Sequence, residues 1–459
     1  MENINYKIAD KIISFERNGQ TLITSGININ PILVTNEDAN KIKKYIEEIR
    51  KYRNISLAID HAGHEDLFMY LMDRKIIIPD NNNLKKTHKQ NMKGASIFLL
   101  LTQYCNLNCI YCLNGKESYR KNDELKMNLD VAITAIRKFI EIYKECDDLE
   151  IVFFGGEPLL NWSLIKDIIK YSEKNFKPSM PGLRYHITTN LTIFPDDIIY
   201  WAKKYNITFL VDIDGDEITH NKLRPSHKIN SFKSTTNHLS LLRLANIPYS
   251  LRTTVTSFNV NQMVGISLLH KELGGDSSAF VAVGPINSDN FIMPPSWYPD
   301  IDIFEDNLIN ILNENIWKPR ELFPVKNVME IIENGSPLYH GCGSPFNKTS
   351  AICVNGDAYA CIYFVGNKKF YLGNVMSDEY PNNDVLQIMQ EESHVDNLSK
   401  CMSCNYKYMC GGGCPLSKFM AEENKNATNE LVEYSFRRNC FSKKVFEYLM
   451  WKIADASCV

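Results

Sequence analysis

At 459 residues, with 44% apolar and 23% charged side chains, the chain has the composition of a globular protein long enough for two to four domains and a sizeable core. A formal net charge of −3 points neither to nucleic acid nor to an anionic membrane, no apolar run approaches a bilayer span, and Met1-Glu2-Asn3-Ile4 opens no signal peptide. The thirteen cysteines are odd in number and clustered, which argues against a disulfide framework and for metal clusters in a cytoplasmic protein.

The first 80 residues read as a separate module. Residues 5–16 and 20–25 alternate like strands around the hairpin signal Arg17-Asn18-Gly19, and 31–34 is a third short strand. Thr35 with Asp38 resembles a helix cap, followed by apolar residues at helical spacing over 39–50; 64–73 is a second helix and 76–79 a closing strand. Strands followed by helices suggest a small winged-helix-like fold, whose exposed strand edge could take up a peptide as an extra strand. Residues 81–94 are polar and aperiodic and read as a linker.

From 95 to 300, strand-like runs (96–102, 149–154, 184–189, 207–213, 249–256 and 278–283) alternate with amphipathic stretches (130–146, 163–175, 196–205, 231–245 and 260–273). This predicts an α/β fold: a parallel sheet of six β/α units curled into a partial barrel, two units short of a closed one. Two bridging helices, 302–317 and 321–334, fill 301–340. Residues 341–459 are loop-rich and cysteine-rich, and their sparse apolar periodicity predicts a core supplied by metal clusters.

The chemistry concentrates where strands end. Cys105, Cys109 and Cys112 follow the first barrel strand with the spacing C-x3-C-x2-C. Three thiolates can hold three irons of a cubane cluster and leave the fourth free for a small molecule. A zinc knuckle or three core thiols is the competing account, but structural zinc takes four ligands and no fourth Cys or His lies nearby. Gly155-Gly156-Glu157-Pro158 follows the second strand; its glycines allow a ligand to approach the backbone, and its carboxylate can accept from an ammonium. Thr188-Thr189-Asn190, then Asp212-Ile213-Asp214-Gly215 with His220 and Arg224, and finally Arg252, place polar groups on later strands.

The C-terminal set runs Cys342, thirteen residues, Gly356, four residues, Cys361, then Cys401-x2-Cys404-x5-Cys410-x3-Cys414, and Cys440. Two zinc ribbons are the alternative here. Cys353 lies in the hairpin that carries Cys361; a two-residue turn would put the two on opposite faces, a three-residue loop on the same face. Cys146 and Cys458 read as plain thiols.

Together these motifs resemble the radical S-adenosylmethionine (SAM) enzymes, and the C-terminal spacing resembles the SPASM extension of those that modify peptides. The resemblance implies SAM on the open iron of a cluster held by Cys105, Cys109 and Cys112. It implies Tyr111 near the adenine, Gly155, Gly156 and Glu157 at the amino group, Asn190 and Asp212 near the ribose, and Arg224 toward the carboxylate. It further implies auxiliary cluster I on Cys342, Cys361 and Cys414, with Cys353 either completing it or leaving an open iron. Auxiliary cluster II falls on Cys401, Cys404, Cys410 and Cys440, making three 4Fe–4S clusters in all. The N-terminal module is similar to the leader-peptide recognition element exemplified by the stand-alone chaperone of pyrroloquinoline-quinone biosynthesis. The implied activity is hydrogen abstraction from a ribosomally made precursor peptide by a 5′-deoxyadenosyl radical. A cross-link would result, a thioether or a carbon–carbon bond, with an electron donor such as a ferredoxin or flavodoxin. Anaerobic sulfatase maturases share the layout but carry an Asp base directly after the second hairpin cysteine; here Cys361 is followed by Ile362-Tyr363-Phe364, which argues against formylglycine formation. A reading from another class is a non-catalytic iron–sulfur or zinc protein that binds peptides or transfers electrons.

Overall fold

The computed structural model describes residues 6–9, 11–26, 29–51, 65–79, 94–113, 126–285, 292–422, 425, 427–440 and 442–457. The expected linker therefore lies outside the described residues except for Gly94, and so does Cys458.

At the N-terminus, β1 (Tyr6–Ile8) pairs antiparallel with β5 (Ile77–Pro79), while β2 (Ile12–Arg17), β3 (Gln20–Ser25) and β4 (Ile32–Thr35) form a three-stranded antiparallel sheet with β3 in the middle. Asn18 and Gly19 turn the β2–β3 hairpin at φ 50° and 80°, the left-handed pair that a tight hairpin needs. Helix α1 (Asn36–Lys51) lays Ala39, Ile42, Tyr45, Ile46 and Ile49 against Ile23 and Ile32, and α2 (Glu65–Asp73) adds Phe68 and Leu71. Apolar residues at that spacing fall on one helical face, so this small core follows from the sequence pattern.

The module is not free-standing. Ile13, Phe15 and Leu22 are buried in a second cluster with Phe446, Met450 and Trp451 of the C-terminal helix Lys443–Ser457. Phe15 and Phe446 have ring centroids 6.0 Å apart. A sheet with apolar residues on both faces must bury both, and the second face finds the far end of the chain.

The large sheet has the order β12-β11-β10-β9-β8-β7-β6-β13-β14-β15. Its parallel part consists of β6 (Gly94–Leu100), β7 (Asp148–Phe154), β8 (Leu183–Thr189), β9 (Thr208–Asp212), β10 (Tyr249–Val255) and β11 (Ser277–Ala282). These are the six expected strands, joined by helices that include α3 (Leu129–Ile142), α4 (Trp162–Asn175), α5 (Ile198–Tyr205), α6 (Glu217–Leu223), α7 (Ser231–Leu244) and α8 (Met263–Glu272). Odd-numbered residues of β6 (Ala95, Ile97, Leu99) bury outward beneath α3 and α4. Phe98 and Leu100 instead belong to a separate cluster with Phe154. That alternation is the two-residue period of a strand with helices on one side.

Two strands extend the parallel sheet beyond the six predicted. β12 (Leu322–Phe323) adds to β11, within the stretch read as the start of the second bridging helix. Lys318-Pro319 and a proline at 324 break the helical run there, so α10 (Val325–Asn334) begins later, after α9 (Ile301–Asn313). On the other edge β13 (Ala351–Ile352) pairs parallel to β6, and β14 (Asp357–Tyr359) and β15 (Tyr371–Asn374) continue antiparallel from it.

The expected cluster-built core for 341–459 needs correction. Ile352, Ala358, Phe364, Phe370, Leu372, Leu386, Met389, Leu416, Met420 and Leu431 are buried in one cluster with the barrel's outer core. Their spacing follows no single helix or strand, which hid them from a periodicity argument. Among the described residues no helix is long and apolar enough to cross a membrane.

Candidate active site

The cysteine loop leaves β6 through Leu101 and Thr102 and is pinned by backbone bonds to the segment after α6. Asn108 N donates to Pro225 O (2.8 Å) and Ile110 N to Leu223 O (3.0 Å). Its other side rests on the Gly155-Gly156-Glu157 turn: Gly156 N donates to Thr102 O (2.8 Å) and Glu157 N to Tyr104 O (3.0 Å). A Cβ at Gly155, which has φ 129°, would stand 2.5 Å from Thr102 O, and one at Gly156 would stand 2.2 Å from Tyr104 O. Part of the close approach these glycines permit is by the chain's own cysteine loop.

Glu157 is likewise engaged by the chain. Its carboxylate accepts from Thr189 Oγ1 (2.6 Å), Asn190 N (2.9 Å) and Leu159 N (3.0 Å). Burial pushes its carboxyl up to about 7 despite these donors. The geometry makes Glu157 a clamp between the ends of β7 and β8, with three of its acceptor positions taken by the chain. Asn190, so held, points its Nδ2 at Asn106 Oδ1 (3.1 Å) and lies 3.7 Å from Cys105 Sγ.

Below the loop sits a buried charge network. Asp212 accepts from Arg224 Nη2 (2.9 Å) and Arg252 Nε (2.7 Å). Arg224 Nη1 also donates to the Tyr111 hydroxyl (2.8 Å), which in turn bonds Asp214. Burial alone would raise the Asp212 carboxyl, but Arg224 and Arg252 hold it below its ordinary range; Asp214, more deeply buried, is raised by that burial. The structure therefore gives Arg224, Asp212 and Tyr111 to one another first. Two buried polar atoms, Arg224 Nε and His220 Nε2, have no partner among the described residues, which suits a site that takes a further polar ligand.

The thiols sort into three groups. Cys105, Cys109 and Cys112 lie within electrostatic range of each other, and burial pushes Cys105 up to about 12 and Cys109 upward. Cys342, Cys361 and Cys414 form a second set, with Cys361 and Cys414 each raised to about 12 by burial. Cys401, Cys404, Cys410 and Cys440 form the third. Burial outweighs the nearby Arg224 and Arg438 charges and keeps these thiols protonated; a bound metal would reverse that, since the thiolate is the ligand. Among the described residues no three His, Cys, Asp or Glu groups converge on a single metal ion.

The second and third sets are tied by a feature the sequence reading passed over. Gly411, Gly412 and Gly413 all have positive φ (64°, 83° and 72°) between Cys410 and Cys414. A Cβ at Gly411 would lie 2.5 Å from His340, one at Gly413 2.5 Å from Asn439 O, and one at Gly341 2.2 Å from Gly413 O. The glycine run is threaded between the Cys342 and Cys440 loops, a cradle that side chains would fill. Three consecutive glycines between two cysteines were the available signal.

Cys353 is not brought to the second set. Its loop is three residues long, with Cys353 N donating to Asp357 O (2.8 Å) and Gly356 at φ 88°. That case would have put Cys353 on the face of Cys361. However, register shifts at Ala358/Tyr359, and Cys361 caps a short 3-10 turn over Ile362–Phe364, so the alternation breaks first. Cys353 packs instead with Leu100, Ala351, Phe98 and Phe154 on the inner side of the sheet.

Residues 99–264 match the radical SAM superfamily model. Over 417 residues, 82% of this chain and 83% of the relative, the sequence is 25% identical to the radical SAM cyclopropyl synthase TigE of Paramaledivibacter caminithermalis. It is also 25% identical over 372 residues to the cysteine-type anaerobic sulfatase-maturating enzyme of Clostridium novyi, covering 77% of this chain and 96% of that one. The fold resembles Streptococcus suis SuiB bound to precursor peptide SuiA, with TM-score 0.51 and 15% identity over 92% of this chain and 98% of the other. The chain carries a radical SAM domain, with Cys105, Cys109 and Cys112 inside the matched segment. Radical SAM domains bind SAM and a 4Fe–4S cluster.

Proposed function

We propose that this chain is a cytoplasmic radical SAM peptide maturase that installs a cross-link in a ribosomally made precursor, a thioether first and a carbon–carbon bond second. The observation that carries the reading is the motif spacing of the ten cysteines, three of them inside the matched segment; within each set the thiols feel one another's charge. On this reading Cys105, Cys109 and Cys112 hold the SAM-binding cluster. Cys342, Cys361 and Cys414 hold auxiliary cluster I with one iron open, and the remaining four cysteines hold auxiliary cluster II. When bound, cluster and SAM together supply a 5′-deoxyadenosyl radical that takes a hydrogen atom from an unactivated carbon.

The protein's part is placement. Asn190 fixes the Cys105 side of the loop, Gly155 and Gly156 seat the loop on β7, and Arg224 keeps its Nε for an anionic ligand group. Residues 1–80 act as the leader recognition element, and a ferredoxin or flavodoxin supplies electrons. Similarity to an enzyme named for sulfatase maturation, a change made on a polypeptide, supports this substrate class.

A sulfatase-maturase-like oxidase is the second reading, favoured by the near full-length match to the C. novyi enzyme. The stretch after Cys361 offers no carboxylate in its support. The test is anaerobic reconstitution, dithionite reduction and assay of 5′-deoxyadenosine. Co-expression with short peptides encoded nearby, and with a sulfatase-derived peptide, would follow, read by tandem mass spectrometry. A wild-type protein that binds zinc and no iron sinks both readings in favour of a non-catalytic protein.

A further inference from the structure

Arg438 lies near the end of the helix Asn429–Asn439, two residues before Cys440. Its Nε donates to Ala282 O at the end of β11 (2.8 Å), its Nη1 to Asn439 Oδ1 (2.9 Å) and its Nη2 to the Tyr363 hydroxyl (2.9 Å). Tyr363 stands two residues after Cys361, is half-buried against the same large core as Cys361 and Cys414, and turns its ring to the guanidinium at 5.5 Å. The carbonyl of Asn439, the next residue, abuts Gly413 beside Cys414.

Every acceptor named is neutral. Among the described residues no carboxylate is paired with Arg438, whereas its neighbour Arg437 has Asp302 at 2.9 Å. A half-buried guanidinium without a counter-charge is costly, because its field is neither screened by water nor cancelled by a partner. The ionisable groups of opposite sign within range are Tyr363, Tyr434 and the Cys414 thiol, and of these the thiol is the one a bound metal would hold ionised.

We infer that Arg438 is a positioning residue for the cluster on Cys342, Cys361 and Cys414: its fixed positive charge raises that cluster's reduction potential. This rests on the reading that these three cysteines hold a 4Fe–4S cluster. Reduction adds one electron, hence one negative charge, and makes or breaks no bond. A guanidinium alongside stabilises the more negative form. In a titration dithionite supplies the electron. In turnover the donor is the substrate carbon radical, which is oxidised as it closes to product with loss of a proton. The tie to Ala282 holds this acceptor against the barrel end where that radical forms.

The test is an EPR-monitored redox titration of the full-length, anaerobically reconstituted chain, with iron counted for each variant. Arg438→Gln is expected to keep wild-type iron and to lower the reduced fraction of one cluster at least tenfold at fixed potential, about 59 mV for one electron. The other signals should not move, and Arg438→Lys should restore most of the shift. A Gln variant that carries its iron and titrates as wild type overturns the inference. Should the Gln variant not load, Arg438→Lys decides. A reduced fraction close to wild type supports the role of charge, and a tenfold fall overturns it. A different failure, no iron lost on replacing Cys342, Cys361 and Cys414 together by Ser, would overturn the cluster reading itself.

Discussion

The two cysteine-bearing ends of the sheet are built on different terms. The loop at 105–112 is hydrogen-bonded to the end of α6 and, through Asn106, to the residues after β8, and it lies over a buried ion network, so its geometry is set by the polypeptide. The loops at 399–414 have short 3-10 turns, three left-handed glycines, and only Leu398 and Met409 buried beneath them. The first region is a preformed socket. The second has little apolar burial of its own, so a metal held by its thiols would add more to its stability than one held at the first.

The largest expected effects break that comparison directly. Replacing Cys105, Cys109 and Cys112 together by Ala should abolish SAM cleavage while leaving the melting temperature within a few degrees of wild type and the remaining iron in place. Replacing Cys401 and Cys404 by Ser should do the reverse to structure: amide exchange should rise across 399–414 and stay unchanged across 94–112. Equal loosening of both loops by either change would remove the distinction.

Next in size is Asp212→Asn, which strands Arg224 and Arg252 beneath the first loop. Breaking a buried pair of this kind costs about 3–5 kcal/mol, to be read by denaturant unfolding. The pH dependence follows in sign. Asp212 is held below its ordinary range, so its contribution is complete above the unfolded value of about 3.9 and is lost as pH falls through the lower folded value. The wild type should therefore lose stability in that acid window more steeply than the Asn variant.

The socket was legible in the sequence because each of its parts is local: a strand, then C-x3-C-x2-C; a strand, then Gly-Gly-Glu. What escaped were long-range features. The bonds that Glu157 accepts from Thr189 and Asn190 join residues 32 and 33 positions apart, and no local pattern announces them. Docking of Ile13 and Phe15 on Phe446 and Met450 spans almost the whole chain, and no periodicity encodes it. Arg438 sits among ordinary helical residues, and only the pairing of β11 with its neighbours brings Ala282 to it.

That docking sharpens the comparison from the other side, because the N-terminal sheet packs on the same cluster as Met409, next to Cys410. Phe15→Ala should cost about 3 kcal/mol, in the usual range for a buried Phe. Exchange protection should fall in β2 and the C-terminal helix, and not at the barrel mouth. Removal of residues 1–80 should weaken precursor-peptide affinity more than uncoupled SAM cleavage. Unchanged affinity in the truncated chain would take the leader-recognition role away from this module.

The smallest expected effect concerns Cys353. It belongs to the preformed side: its neighbours are Leu100 and Phe154 on the sheet's inner face, and the nearby charge is Asp357 rather than another thiol. Cys353→Ala removes one buried sulfur from a packed apolar setting, a loss of about 1 kcal/mol on the scale of small core truncations. Iron per chain and the auxiliary EPR signals should equal those of wild type, whereas Cys361→Ala should lose iron. Loss of iron in Cys353→Ala would mean that the hairpin turns over when the cluster forms. The socket-like character seen at β6 would then not extend to the strand paired beside it.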